Sequence, residues 1–163
     1  MTSQPQTLVT EEMKKRRDNW SEPRYSPPAS LSDIRKWAIA VYWPEKPPRL
    51  YWDEEYAKTT RYGGIIAPPD FNPFAWPVER EVMNTNATPQ GGGVGTRGMN
   101  GGQTEWYHAP IRPGDVLHST SALVDWNERT TRLGLTLFDT TETRWYNQRN
   151  ELVKVRHSVG IRY

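Results

Sequence analysis

Cysteine is absent from this 163-residue sequence. That removes disulfide staples, thiolate nucleophiles and Cys-ligated metal sites at once. Aliphatic bulk is scarce too: Leu, Ile, Val and Phe together number only 28. Such a level marks disordered chains when net charge is high and aromatics are few. Neither condition holds, because the formal net charge is +2 and there are 8 Trp and 8 Tyr. Each large ring buries about 150–250 Å², so aromatics supply the core that the aliphatics lack. No apolar run approaches the ~18 residues of a membrane helix, and the N-terminus has no apolar signal core. The expectation is a cytoplasmic protein with no membrane partner. Two surplus positive charges make no footprint for nucleic acid either. The one basic run, Lys14 to Arg17, is flanked by Glu11, Glu12 and Asp18 and reads as a solvated face.

What is present sorts into a polar arm over residues 1–29 and one domain over 30–163, within the usual ~100–200 residues per domain. Ser30 and Asp33 form an approximate capping box, and Ile34, Trp37, Ala38 and Val41 repeat at helical spacing. Pro44, Pro47 and Pro48 stop that helix. A short helix with acidic residues at its start follows at Asp53–Ala57, and Gly63-Gly64 ends it. A further helix is expected from about Pro77. Residues 84–102 hold seven of the glycines and read as a long loop. Beyond it the texture is β: strands at 103–109, Val116–Trp126, Thr131–Tyr146 and from Val153 onward. Turns are expected at Arg112–Asp115, Asn127–Thr130 and Asn147–Asn150. Long antiparallel strands preceded by helices imply an α+β fold, a strongly curved sheet wrapped around a helix. The final strand places Val153, Val155, His157, Val159 and Ile161 on one face, with Lys154, Arg156, Ser158 and Arg162 on the other. It reads as an edge that must be paired, so the protein is expected not to be monomeric.

Chemistry-bearing residues are few. No two of the three histidines stand at metal-ligand spacing, so no metal is expected. His157 reads as a core or interface histidine with a hydrogen bond, and His108 as an exposed one. The glycine run ending at Gly98 lacks the Lys and Ser/Thr of a phosphate loop. With Arg97 it still permits close approach of backbone N–H groups to a phosphate or a thin acyl chain.

Two blocks resemble a known family. The run Leu50-Tyr51-Trp52-Asp53-Glu54-Glu55-Tyr56-Ala57, continued by Thr59-Thr60-Arg61-Tyr62-Gly63-Gly64-Ile65-Ile66-Ala67-Pro68-Pro69, is similar to the MaoC-like hot-dog dehydratases. Asn100 to Leu117, with its Arg112-Pro113-Gly114-Asp115 turn, resembles that family's first long strand and R-x-G-D turn. In catalytic members a D-x-N-P-I-H segment precedes the first block. On that register Lys46 stands at the Asp position and Tyr51 at the His position, which resembles the non-catalytic N-terminal type found in fatty-acid-synthase-like dehydratases. A second D-x-N-P match, Asp70 to Ala75, has Ala75 where the histidine belongs.

The resemblance implies a single hot-dog unit that contributes no catalytic residue and shapes the substrate pocket of a heteromeric (R)-specific enoyl-CoA hydratase or 3-hydroxyacyl-thioester dehydratase. A separately encoded MaoC-like subunit would carry the Asp/His dyad. The ligand is an acyl-CoA or acyl-carrier thioester, and no cofactor is implied. Tyr51, Asp70, Phe71, Asn72, Phe74, Trp76, Arg97, Asn100, Gly101 and Gly102 are the expected pocket residues, with Asn100–Gly102 close to the 70–76 segment. Two alternatives stand beside this reading. One is a self-sufficient homodimeric hydratase or thioesterase using Asp70, Asn72 or His108; the other is a non-enzymatic acyl-thioester-binding protein.

Overall fold

The computed structural model describes residues 7–75 and 94–163. The helix expected from Pro77, the centre of the glycine run and Trp76 lie outside the described residues. Helix α1 (Glu11–Arg16) is capped by the Thr10 hydroxyl and α2 (Leu31–Tyr42) by Ser30, whose side chain accepts from the Asp33 N–H at 3.0 Å. Ile34 and Ala38 on α2 are fully buried and Trp37 packs beside them. Val41, expected on the same face, is 48% exposed, and in that last turn it is Tyr42 that packs on Ala38, Tyr51 and Ile66. A 3-10 turn (Arg49–Tyr51) leads into α3 (Glu54–Lys58), capped by Asp53.

Five strands form one antiparallel sheet: β1 (Arg24–Tyr25), β2 (Gly98–Tyr107), β3 (His118–Thr131), β4 (Gly134–Tyr146) and β5 (Leu152–Arg162), in the order β1-β3-β4-β5-β2. The polar run Asn127–Thr130, expected to turn, continues β3 and pairs with Leu135–Phe138. The chain reverses instead at Arg132-Leu133, where Gly134 takes φ +93°. Polar composition is a weak turn signal; a positive-φ glycine is the stronger one. The final strand is internal, between β4 and β2, so among the described residues it is β2 and not β5 that stands at that edge of the sheet.

Residues 17–29 run along the outer side of β3, with backbone bonds from Asp18 to Leu123, Ser21 to Ser121 and Ser26 to Leu117. The segment before α1 ties down to Glu128, which accepts from the Thr7 hydroxyl and the Leu8 N–H. The main core lies at one end of the sheet, where Trp145, Val153, Leu117 and Ile111 meet Ile34, Ala57, Ile65 and Phe71. A smaller cluster joins Ala38, Tyr51 and Ile66.

Candidate functional site

Successive strand residues alternate faces, so β5 places His157 with Glu142 and Trp106 on one face, and Lys154 and Arg156 with Glu105 and Trp145 on the other. From Val155 onward the alternation matches the sequence reading, whereas Val153, expected on the His157 face, falls at a register shift and packs in the Trp145 cluster; nor does burial follow polarity. Lys154, on the face that reads as polar, is only 4% exposed. The Pro69–Pro73 segment is packed over it, and Asn72, Phe71 and Trp145 share a small cavity with it.

Glu105 is the hub of this cluster. It accepts from Arg156 Nε at 2.6 Å and from the Tyr107 hydroxyl, and lies 3.6 Å from Lys154 Nζ. Burial raises its carboxyl, but Tyr107, Arg156 and the Lys154 charge outweigh that and hold it below the usual range. Burial likewise pushes the Lys154 ammonium down, against the pull of Glu105. Tyr107 is pushed up to about 12 by burial and by its bond to Glu105, so its phenol stays protonated. Asp70 is exposed and acts on Lys154, Tyr107 and Tyr51 at electrostatic range. The segment after Pro69 thus lies beside Lys154 of β5.

Other expected pocket residues are placed differently. Phe71 is core, 4% exposed and edge-on to Trp37 at 5.6 Å. Asn72 spends its side-chain oxygen on the Phe74 N–H at 3.0 Å, shaping the turn, and Phe74 lies under the Arg24 guanidinium. Asn100 does the same for Gly102 at a bulge in β2, while Gly101 lies where a Cβ would meet Val159 at 2.8 Å. Asn100 pairs with Gly160, six residues along β5 from Lys154, which at ~3.3 Å per residue is about 20 Å away. The expectation that Asn100–Gly102 adjoin the 70–76 segment is thus corrected: strand register decides the distance, and composition carries no register. Arg97 is exposed and pairs by its backbone with Tyr163.

Lys46 and Tyr51, which the resemblance sets at the dyad register, lie in different surroundings. Lys46 is exposed over the Trp52 ring at 4.4 Å. Tyr51 is 9% exposed against Tyr42, and burial and then that neighbouring phenol push it up to about 12. The Tyr51 phenol cannot act as a base near neutral pH, and the Lys46 side chain offers no carboxylate. His108 is exposed and, with Tyr107, Tyr62 and Ile66–Pro69, lines a cavity of ≈120 Å³. His118 stacks between Tyr25 and Tyr146. His157 bonds to Glu142 at 2.7 Å and meets Trp106 edge-on. Among the described residues no group of three potential metal ligands converges, and no helix is long and apolar enough to cross a membrane. Sequence reasoning missed Glu105, Lys154 and Arg156; the signal was the Lys-x-Arg alternation on a strand flanked by aromatics.

A family model described as "FAS1-like, dehydratase domain region" matches residues 26–156. The chain belongs to that family. As a member of the FAS1-like dehydratase region it has the expected MaoC-like hot-dog fold, and solved structures agree. A chain of the ChsH1-ChsH2 complex from Mycobacterium tuberculosis aligns with TM-score 0.73 at 18% identity, covering 94% of each chain. A chain of the C-terminally truncated HadBC (3R-hydroxyacyl-ACP dehydratase) complex from the same organism gives 0.56 at 19% identity, covering 87% of this chain and 93% of that one. The MaoC-like dehydratase from Rhodospirillum rubrum also gives 0.56 at 19%, covering 87% and 90%. None of the curated proteins matches in sequence.

Proposed function

We propose that this chain is the non-catalytic, pocket-shaping subunit of a heteromeric (R)-specific enoyl-CoA hydratase or 3-hydroxyacyl-thioester dehydratase, cofactor-free and working beside a MaoC-like subunit that carries the dyad. In the hydration direction, water's oxygen bonds to the β-carbon of the enoyl thioester, its proton passes to a base, and the α-carbon receives a proton. That needs a carboxylate and an imidazole flanking one water. The observation that carries the reading is the pair of substitutions at the dyad register: an exposed ammonium at Lys46 and a buried phenol at Tyr51 held near 12. The two M. tuberculosis complexes supply the precedent of hot-dog chains working in pairs.

The test is turnover of crotonyl-CoA and bulkier enoyl-CoAs by the purified chain, alone and with a partner bearing an intact D-x-N-P-x-H segment. The expected result is no turnover alone and turnover together. Turnover by the isolated chain that His108→Ala or Asp70→Ala abolishes overturns this reading in favour of the self-sufficient enzyme. Acyl-CoA binding without turnover in either sample leaves an acyl-thioester-binding protein.

A further inference from the structure

Past β3 the sheet ends on the 17–29 arm. Every second residue of an antiparallel strand turns its backbone groups to the same side, and on the side away from β4 those residues are Leu117, Ser119, Ser121 and Leu123. The arm takes each of them. The Asp18 N–H donates to the Leu123 carbonyl at 2.9 Å, Ser21 to Ser121 at 2.9 Å and Ser26 to Leu117 at 2.8 Å, while Arg24 pairs with Ser119. In return the Ser21 and Ser26 hydroxyls accept from the N–H groups of Ser121 and Leu117, at 3.1 and 3.0 Å. Side chains pin the arm as well: Arg17 lies over Trp126 at 5.0 Å, Arg144 over Trp20 at 4.4 Å, and Tyr25 meets His118 at 5.6 Å. The arm's own far side is different. It carries the exposed Pro23, Pro27 and Pro28, which have no N–H to donate. It is regular only at Arg24–Tyr25, and Asp18 kinks it with a φ of +57°. A regular strand would satisfy β3 equally well but would present a fresh ladder to the next chain; proline and irregular backbone deny that ladder.

We infer that residues 17–29 are an edge guard: they close β3 against strand pairing with a second copy of this chain, and leave the sheet at most its β2 edge for a partner. A sheet open at both edges can add copies head to tail without end, whereas a sheet closed at one edge ends its assembly at a pair. The guard does not depend on the acyl-thioester reading above. It names the side of the sheet that the proposed partner subunit cannot use.

Hydrogen exchange on the unaltered full chain reads the guard without any substitution. The Asp18, Ser21 and Ser26 amides should exchange at least about a hundredfold slower than unstructured amides. Free exchange at these three overturns the guard. Asp18→Pro combined with Ser21→Pro removes two of the donors, and proline cannot adopt the φ of +57° at position 18, so the arm lifts. Light scattering on that full-length variant should show a mass that climbs with concentration to at least about twice that of the unaltered chain. A synthetic peptide of residues 7–29, added in excess, should bring the mass back. Equal masses at every concentration overturn the guard. Association that the peptide does not reverse is collapse of an unfolded chain, and overturns it too. Where the double variant does not fold, Trp20→Ala decides, because it loosens the arm and keeps every backbone donor. It should raise the mass less steeply and in the same peptide-reversible way, and an unchanged mass overturns the guard.

Discussion

The same three strands carry two carboxylate-centred clusters, one on each face, and they differ in solvent rather than in composition. On the Trp145 face Glu105 from β2 holds Arg156 and Lys154 of β5, and the lysine side chain keeps 6% of its exposure. On the Trp106 face Glu142 of β4 holds Arg144 at 2.5 Å and His157 at 2.7 Å, with the imidazole 36% and the guanidinium 43% exposed. A charge pair interacts more strongly as water is removed, yet removing the water also penalises each charge. The first cluster is thus costly to break at one partner. The second is cushioned by solvent and can lose a partner cheaply. What decides the contrast is the Pro69–Pro73 segment packed against Lys154 on one face, with no counterpart over His157 among the described residues.

Four experiments sharpen or break this contrast. Glu105→Leu strands the Lys154 ammonium in the core and should destabilise the fold by about 3–5 kcal/mol, the range for a buried charge left unpaired, measured by denaturant unfolding. A loss under about 1 kcal/mol would show that water reaches Lys154 and dissolve the distinction. Glu142→Leu leaves a half-exposed guanidinium and imidazole without their carboxylate and should cost only about 1 kcal/mol, near the upper value for an exposed pair. The pH dependence gives the third test. Both carboxyls lie below the ordinary 4.5 in the folded protein, so each contributes stability that is present above that value and lost as pH falls through the lowered folded one. Glu105→Gln should therefore flatten the acid limb of the stability curve below pH 4.5, and Glu142→Gln should flatten it less; the reverse order breaks the comparison. Smallest of all, Lys14→Ala removes an i,i+3 pair whose side chains are 54% and 79% exposed, and unfolding should shift by no more than about 0.5 kcal/mol.

The legible parts of this protein were those written in local chemistry. Ser30 ahead of Asp33, the period of Ile34 and Ala38, the alternation of β5 and the Arg112–Asp115 turn each follow from the residue and its near neighbours. The misreadings came where local chemistry is neutral. Asn127–Thr130 serves a strand as readily as a turn when a partner strand is present, and only pairing with Leu135–Phe138 decides it. Whether β5 lies at an edge is likewise invisible in its own sequence. The Glu105, Lys154 and Arg156 cluster was illegible, because its members are spread over two strands some fifty residues apart and only pairing of β2 with β5 brings them together.

Against the expectation that aromatics would supply the core, the buried hydrophobics are mostly Ala and aliphatic residues, with Tyr51, Phe71 and Trp145 as the rings among them. By itself the sequence determined the class of fold, the helix caps and the exclusion of thiol chemistry. Each is a property of residue identity and spacing. The tertiary structure alone decided that β5 is internal to the sheet, that Asn100–Gly102 lie far from the Asp70 segment, and that a lysine on the polar face of the last strand is buried. Those are matters of register and of which surface another segment covers. They depend on contacts between residues distant in the chain, whose free energy no local pattern records.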